Sequence, residues 1–181
     1  GAYYVEIGAN QRPSSVTYDR FPSALSSASP DLWDWEAILC DADWFHTTGI
    51  TPALSAELAA SVVDGARRAR ELGRTVSLDL NFRGKLWKWG SGPQGKELAR
   101  ATVSQVLPYV DVLIGNEQDA DDMLDIRAAG TDVEAGRIDA VAYESVAQQI
   151  SERYPDIRYI AITLRESLSA TTNRWGAMLY D

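Results

Sequence analysis

Apolar and polar positions alternate with two different periods along this chain, and the switches between them mark its elements. Residues 75–80 (TVSLDL) set Val76, Leu78 and Leu80 between polar neighbours, the pattern of a strand buried on at least one face. Residues 110–114 (VDVLI) and 159–164 (YIAITL) read as buried strands of the parallel type, and 42–46 as a shorter one. Between strands the period lengthens. Leu54, Leu58, Val62, Ala66 and Ala69 recur at helical spacing, with Ser55 as N-cap, Glu57 in the first turn and Gly73 at the end. A weaker helix is predicted over 95–107, stopping at Pro108. Another follows GNEQDA and holds Met123 and Leu124, and a third over 143–154 carries Val146, Ala147 and Ile150.

The flanks differ. Residues 3–7 and 15–18 are rich in aromatic and β-branched side chains around the turn-forming stretch GANQRPS, which predicts an antiparallel pair. Such a pair is marginal alone and needs something to lie on. Residues 22–30 form a Ser/Ala-rich connection, and 32–39 a short helix through Leu32, Trp35, Ile38 and Leu39, with Asp31 as its cap. Residues 128–139 are charged and aperiodic, a loop. Residues 175–180 return after SATTNR as the hairpin partner of 159–164. A strand pair followed by α-β units predicts an α/β fold with a mainly parallel sheet flanked by helices. One domain over 1–181 is expected, with the strand pair in 1–20 and the α/β units in 40–181.

Composition narrows the class. Hydrophobic residues make up 45% and charged residues 24% of 181 residues, enough for one sizeable core. The net charge of −9 argues against a nucleic-acid partner, since a phosphate backbone demands a basic face. The single cysteine, Cys40, rules out an internal disulfide and fits a reducing compartment, so a cytoplasmic location is expected. No apolar run is long enough to span a bilayer. The chain opens on strand-like AYYVEIG and closes on strand-like GAMLYD, which leads us to expect an interior portion of a longer protein.

Candidate chemistry gathers at the strand ends. Asp79, Asn81 and Arg83 stand at every second position, so on an extended chain a carboxylate, an amide and a guanidinium share one side of a strand end. Open α/β sheets bind ligands beyond the carboxyl ends of their strands. The competing reading is a passage from strand to loop whose polar residues meet water. Gly49 permits close backbone approach, and Thr51-Pro52 marks a strand-to-helix turn. Asn116 and Asp119 stand at another strand end, where acids at a helix start often serve only the helix dipole. His46, the only histidine, has no cysteine or histidine cluster with which to build a metal site and is expected to be structural. There is no Walker loop, no G-x-G-x-x-G fingerprint and no Ser/His/Asp arrangement. The residues alone define a fold and a cluster of polar strand ends, not a reaction.

Five stretches taken together resemble the ribokinase-like (PfkB) carbohydrate kinases: AYYVEIGANQRPSSVTYDR, WFHTTGITPALS, VSLDLNFRGKLW, VDVLIGNEQDA and YIAITLRESLSA. They fall in the family's order over most of the chain, and GITPAL with D-x-N-x-R-x-x-L-W favours the branch acting on 2-keto-3-deoxygluconate. The resemblance implies a ribokinase-like fold with a small β lid at its N-terminal end, ATP-dependent phosphorylation of a sugar acid, and Mg²⁺ accompanying the nucleotide. It places Tyr3, Tyr18 and Arg20 on the lid over the sugar, Gly49 and Ile50 against the substrate, and Arg83 at the substrate carboxylate. Asn81 matches a polar residue near the transferred phosphate. Asn116 and Asp119 match the family's N-x-x-E position, which influences Mg²⁺ and phosphate, with aspartate here in place of glutamate. Thr163 and Arg165 sit where the nucleotide site begins. The family's N-terminal Gly-Gly motif and its G-A-G-D motif, which holds the catalytic base, do not occur in these residues, so no catalytic residue is assigned and this portion alone is expected to be inactive. Homo-oligomers through the lid strands are a further expectation. Two other classes stay open: a non-catalytic sugar-binding or regulatory module with the same fold, and a metal-dependent lyase using Asp79 and Asp119.

Overall fold

A computed structural model describes residues 2–9, 12–19, 22–127, 140–167 and 172–181, without the side chains of 140–142, 165–167 and 173. Strands β1 (Ala2–Glu6) and β2 (Ser15–Asp19) pair antiparallel in a sheet of their own, with Tyr3 opposite Tyr18. Both strands are exposed throughout, and the two rings sit 6.3 Å apart in a tilted arrangement. An ion pair of Arg12 with Glu6 at 2.8 Å closes the ribbon's end.

The main sheet has five strands in the order β3 (Trp44–Thr48), β4 (Thr75–Asp79), β5 (Val112–Gly115), β6 (Tyr159–Ser167) and β7 (Asn173–Tyr180). The first four run parallel and β7 returns antiparallel to β6, as the sequence pattern predicts. Helix α2 (Ala56–Glu71) connects β3 to β4, α3 (Lys96–Val106) connects β4 to β5, and α4 (Glu117–Leu124) and α5 (Ala140–Arg153) lie between β5 and β6. Because the strands advance in one direction, right-handed crossovers put these helices on a single face of the sheet. Burial has the matching parity. Val76, Leu78, Leu113, Ile160 and Ile162 are buried in one core with residues of all four helices. Trp44, Trp175 and Leu179, of the opposite parity, are 54%, 68% and 65% exposed. On that open face Ser77 is bracketed: Trp44 Nε1 donates to its Oγ at 2.7 Å, and His46 Nδ1 lies 2.8 Å from the same oxygen. The lone histidine thus has a structural partner.

Local chemistry explains the element ends. Ser55 caps α2 by accepting the Leu58 N–H at 3.2 Å, and such a cap contributes about 1 kcal/mol. The helix expected over 32–39 is split. Pro30–Leu32 forms a short 3-10 turn, Trp33 is extended, and α1 (Trp35–Leu39) starts afresh because the Asp34 carboxylate, not Asp31, accepts the Ala37 N–H. Strand β6 runs on to Ser167 because β7 pairs with it as far as Asn173. The stretch 128–139 and most of the turn after β6 lie outside the described residues.

Candidate functional site

The site forms where β3, β4 and β5 end. Strand β4 stops at Asp79, and the Leu80 N–H still donates to Ile114 O at 2.8 Å. Asn81 then takes a left-handed backbone with φ 39°, a conformation that asparagine tolerates better than most residues. This corrects the strict alternation expected for Asp79, Asn81 and Arg83. The chain is no longer extended at Asn81, so the three side chains are not successive members of one strand face.

Three contacts fix this exit. Gly49 donates its N–H to Asp79 O at 2.8 Å, where the end of β3 lies beside the end of β4. Gly115 lies so near Leu80 that an added Cβ would meet its side chain at 3.1 Å. Asp119 Oδ1 accepts the Phe82 N–H at 3.0 Å. Asp119 belongs to a capping box at the start of α4: Asn116 Oδ1 accepts the Asp119 N–H at 2.8 Å, and Asp119 Oδ2 accepts the Asn116 N–H at 3.4 Å. Arg83 folds back, donating to Phe82 O at 2.9 Å.

Electrostatics follow from burial. Asp79 is half-buried, and desolvation holds its carboxyl above the ordinary value; the charges of His46 and Arg83 and the Asn81 N–H oppose this. Asp119 is 8% exposed, and burial pushes it up as well. The Phe82 and Asn116 N–H groups pull it down, the Asp79 charge raises it further, and Arg83 lowers it. Two desolvated carboxyls and one guanidinium therefore act on one another beyond β4.

Arg83 faces the ribbon across an open cavity of about 510 Å³, lined by Val16, Thr17 and Tyr18 of β2 and by residues 82–86. An adjoining cavity of about 420 Å³ shares Tyr18 and Lys85 and adds Lys88 and Trp89. Another of about 420 Å³ brings Tyr3 of β1 to Ile50 and Thr51. Tyr18 is thus gathered with Arg83, Tyr3 with Ile50, and Gly49 with the β4 exit. Thr163 lies on β6, its Oγ1 3.4 Å from Gly115 O. Arg165 continues that strand, with its side chain outside the described residues, and Arg20 lies outside them altogether. Phe82 and Lys85 were missed by sequence reasoning; their signal was adjacency to Arg83, which only the turn at Asn81 converts into a cavity wall.

No protein-family model matches the chain. A curated 2-dehydro-3-deoxygalactonokinase of Haloferax volcanii is 40% identical over 126 residues, which are 70% of this chain and 37% of that protein. The crystal structure of 2-dehydro-3-deoxygluconokinase from Thermotoga maritima superposes with TM-score 0.85 at 44% identity, covering 99% of this chain and 50% of its own. A PfkB family carbohydrate kinase from Listeria grayi gives 0.81 at 30% identity, with 98% and 49% covered. The chain's homologues and structural neighbours are PfkB-family sugar kinases, and it spans half or less of the length of these relatives. Within that family, its similarity at 40% identity and above is to kinases named for 2-dehydro-3-deoxy sugar acids.

Proposed function

We propose that the protein is part of an ATP-dependent kinase that phosphorylates a hydroxyl of a 2-keto-3-deoxy sugar acid of the gluconate or galactonate type. One observation carries the substrate class: Arg83 shares a cavity with Tyr18 of the separate ribbon. A guanidinium meets a carboxylate through two parallel charge-assisted hydrogen bonds, and a phenol supplies a hydroxyl to a sugar. In this reading β1 and β2 are the lid, with Tyr3, Tyr18 and Arg20 over the sugar and Gly49 and Ile50 beneath it. The relatives named above support it, since they are kinases of such acids by name.

Asn81, Asn116, Asp119, Thr163 and Arg165 belong to the nucleotide and phosphate side of the proposal, with ATP as donor and Mg²⁺ as its companion. Among the described residues no group of three or more His, Cys, Asp or Glu could hold a metal ion, and both Asp119 oxygens already accept backbone N–H groups. These residues therefore do not build an Mg²⁺ cage by themselves, and we derive binding of the acid rather than the transfer step. Pairing of exposed ribbon edges between copies, and a cytoplasmic location, belong to the same proposal. Among the described residues no helix is long and apolar enough to cross a membrane.

Incubation of the full-length protein that contains this chain with ATP, Mg²⁺ and a panel of sugars tests the reading. Phosphorylation of 2-keto-3-deoxy acids and not of neutral ketoses is the expected outcome. Binding of the acid without turnover favours the non-catalytic module, and preference for a neutral sugar contradicts the substrate class.

A further inference from the structure

We infer that Asp119 is a positioning residue for Arg83: by holding the backbone at Phe82 it sets where the guanidinium stands. Two hydrogen bonds meet at one residue, on the peptide units either side of its Cα. Asp119 Oδ1 accepts the Phe82 N–H at 3.0 Å, and the carbonyl oxygen of the same residue accepts from Arg83 Nη1 at 2.9 Å. The peptide before Phe82 follows Asn81, whose left-handed backbone leaves the chain free of the β4 ladder. Without the carboxylate, the Phe82 N–H has no acceptor among the described hydrogen bonds. Asp119 is itself held, 8% exposed and locked in the capping box with Asn116, so it is a rigid strut and not a mobile side chain. Its second oxygen serves Asn116 N–H, which leaves the carboxylate engaged on both sides by the backbone.

This differs from the phosphate-side role that resemblance gives the position. A residue acting on Arg83 should change recognition of the substrate carboxylate, not merely the order of α4. A preorganised guanidinium binds better than one that must be ordered on binding. The inference rests on the sugar-acid reading for what Arg83 binds, while the pair of hydrogen bonds at Phe82 is independent of any ligand.

Two arms test it. In amide hydrogen exchange by NMR, Asp119→Ala is expected to lose protection at Phe82, and Asp119→Asn, whose amide oxygen still accepts, to keep it. In calorimetry with 2-keto-3-deoxygluconate, Asp119→Ala is expected to weaken binding about tenfold in the wild-type background and hardly at all beside Arg83→Ala. Asp119→Asn is expected to restore most of the affinity. Should Asp119→Ala not fold, Asp119→Ser, too short to reach Phe82, carries both arms. Unchanged Phe82 protection overturns the inference. So does an affinity loss of equal size with and without Arg83, which would place the effect of Asp119 elsewhere. If the wild-type chain binds no sugar acid, the substrate reading falls, and the exchange arm still decides whether Asp119 fixes Phe82.

Discussion

Gly49 presses directly on Leu80: a Cβ at Gly49 would stand 2.1 Å from the Leu80 carbonyl oxygen. The obstruction is backbone, so it cannot move aside as the tip of a side chain can. Gly49→Ala is therefore expected to separate the ends of β3 and β4 and to lower stability by about 1–3 kcal/mol or more. Urea unfolding of the variant checks this. An unchanged midpoint would mean that the two strand ends part freely.

Gly65 in α2 sets two effects against each other. Alanine in a helix interior gains about 1 kcal/mol over glycine, yet a Cβ here would meet three Trp35 ring atoms at 2.8 to 3.0 Å. That ring is stacked on Trp33 and edge-on to Phe45, so it has little room to retreat. Overpacking of about 1–3 kcal/mol should win, and Gly65→Ala is expected to melt lower than the wild type. A higher melting temperature would show that the aromatic cluster is loose.

Asp79 gives the pH dependence a sign. Desolvation raises its carboxyl above the ordinary value, so the folded chain holds the proton more tightly than the unfolded chain. The group's contribution is full below the ordinary carboxylate range and is lost as pH rises through the elevated value. Asp79→Asn, which keeps an acceptor for the Asn81 N–H, should be more stable than wild type near neutral pH. The difference should shrink between about pH 7 and about pH 4. Denaturation curves of both proteins across that range check it, and a gap that widens toward acid would reverse the assignment.

Much of the fold was legible because it depends on burial. Val76, Leu78 and Leu113 lie between neighbouring strands and a helical layer, and their apolar pattern carries that information locally. Ser55 was legible as a cap because its oxygen acts only three residues along the chain. Asp34 was missed because Asp31 offers the same chemistry, and only the extended Trp33 decides between them. The site was harder. An alternating D-x-N-x-R pattern reads as one strand face only if the chain stays extended, and it leaves that conformation at Asn81, between an Asp79 carbonyl bound by Gly49 and a Phe82 N–H bound by Asp119, both far away in sequence. Asp119 showed the same ambiguity: its place at a helix start suggested a dipole partner and the family resemblance a phosphate-side residue, and the hydrogen bonds show a capping box whose carboxylate also reaches Phe82.

The most direct measurement of the central claim is sugar-acid affinity with and without the Arg83 guanidinium. Arg83 stands exposed at the cavity shared with Tyr18, its resting partner only the Phe82 carbonyl among the described hydrogen bonds. Calorimetry on Arg83→Ala should show 2-keto-3-deoxygluconate binding weakened by about 1.5–3 kcal/mol, the range for a hydrogen-bonded charged pair. A neutral analogue without the carboxylate should bind wild type and variant alike. Equal binding of the acid by both proteins would contradict the account and leave Arg83 a solvent-facing loop residue.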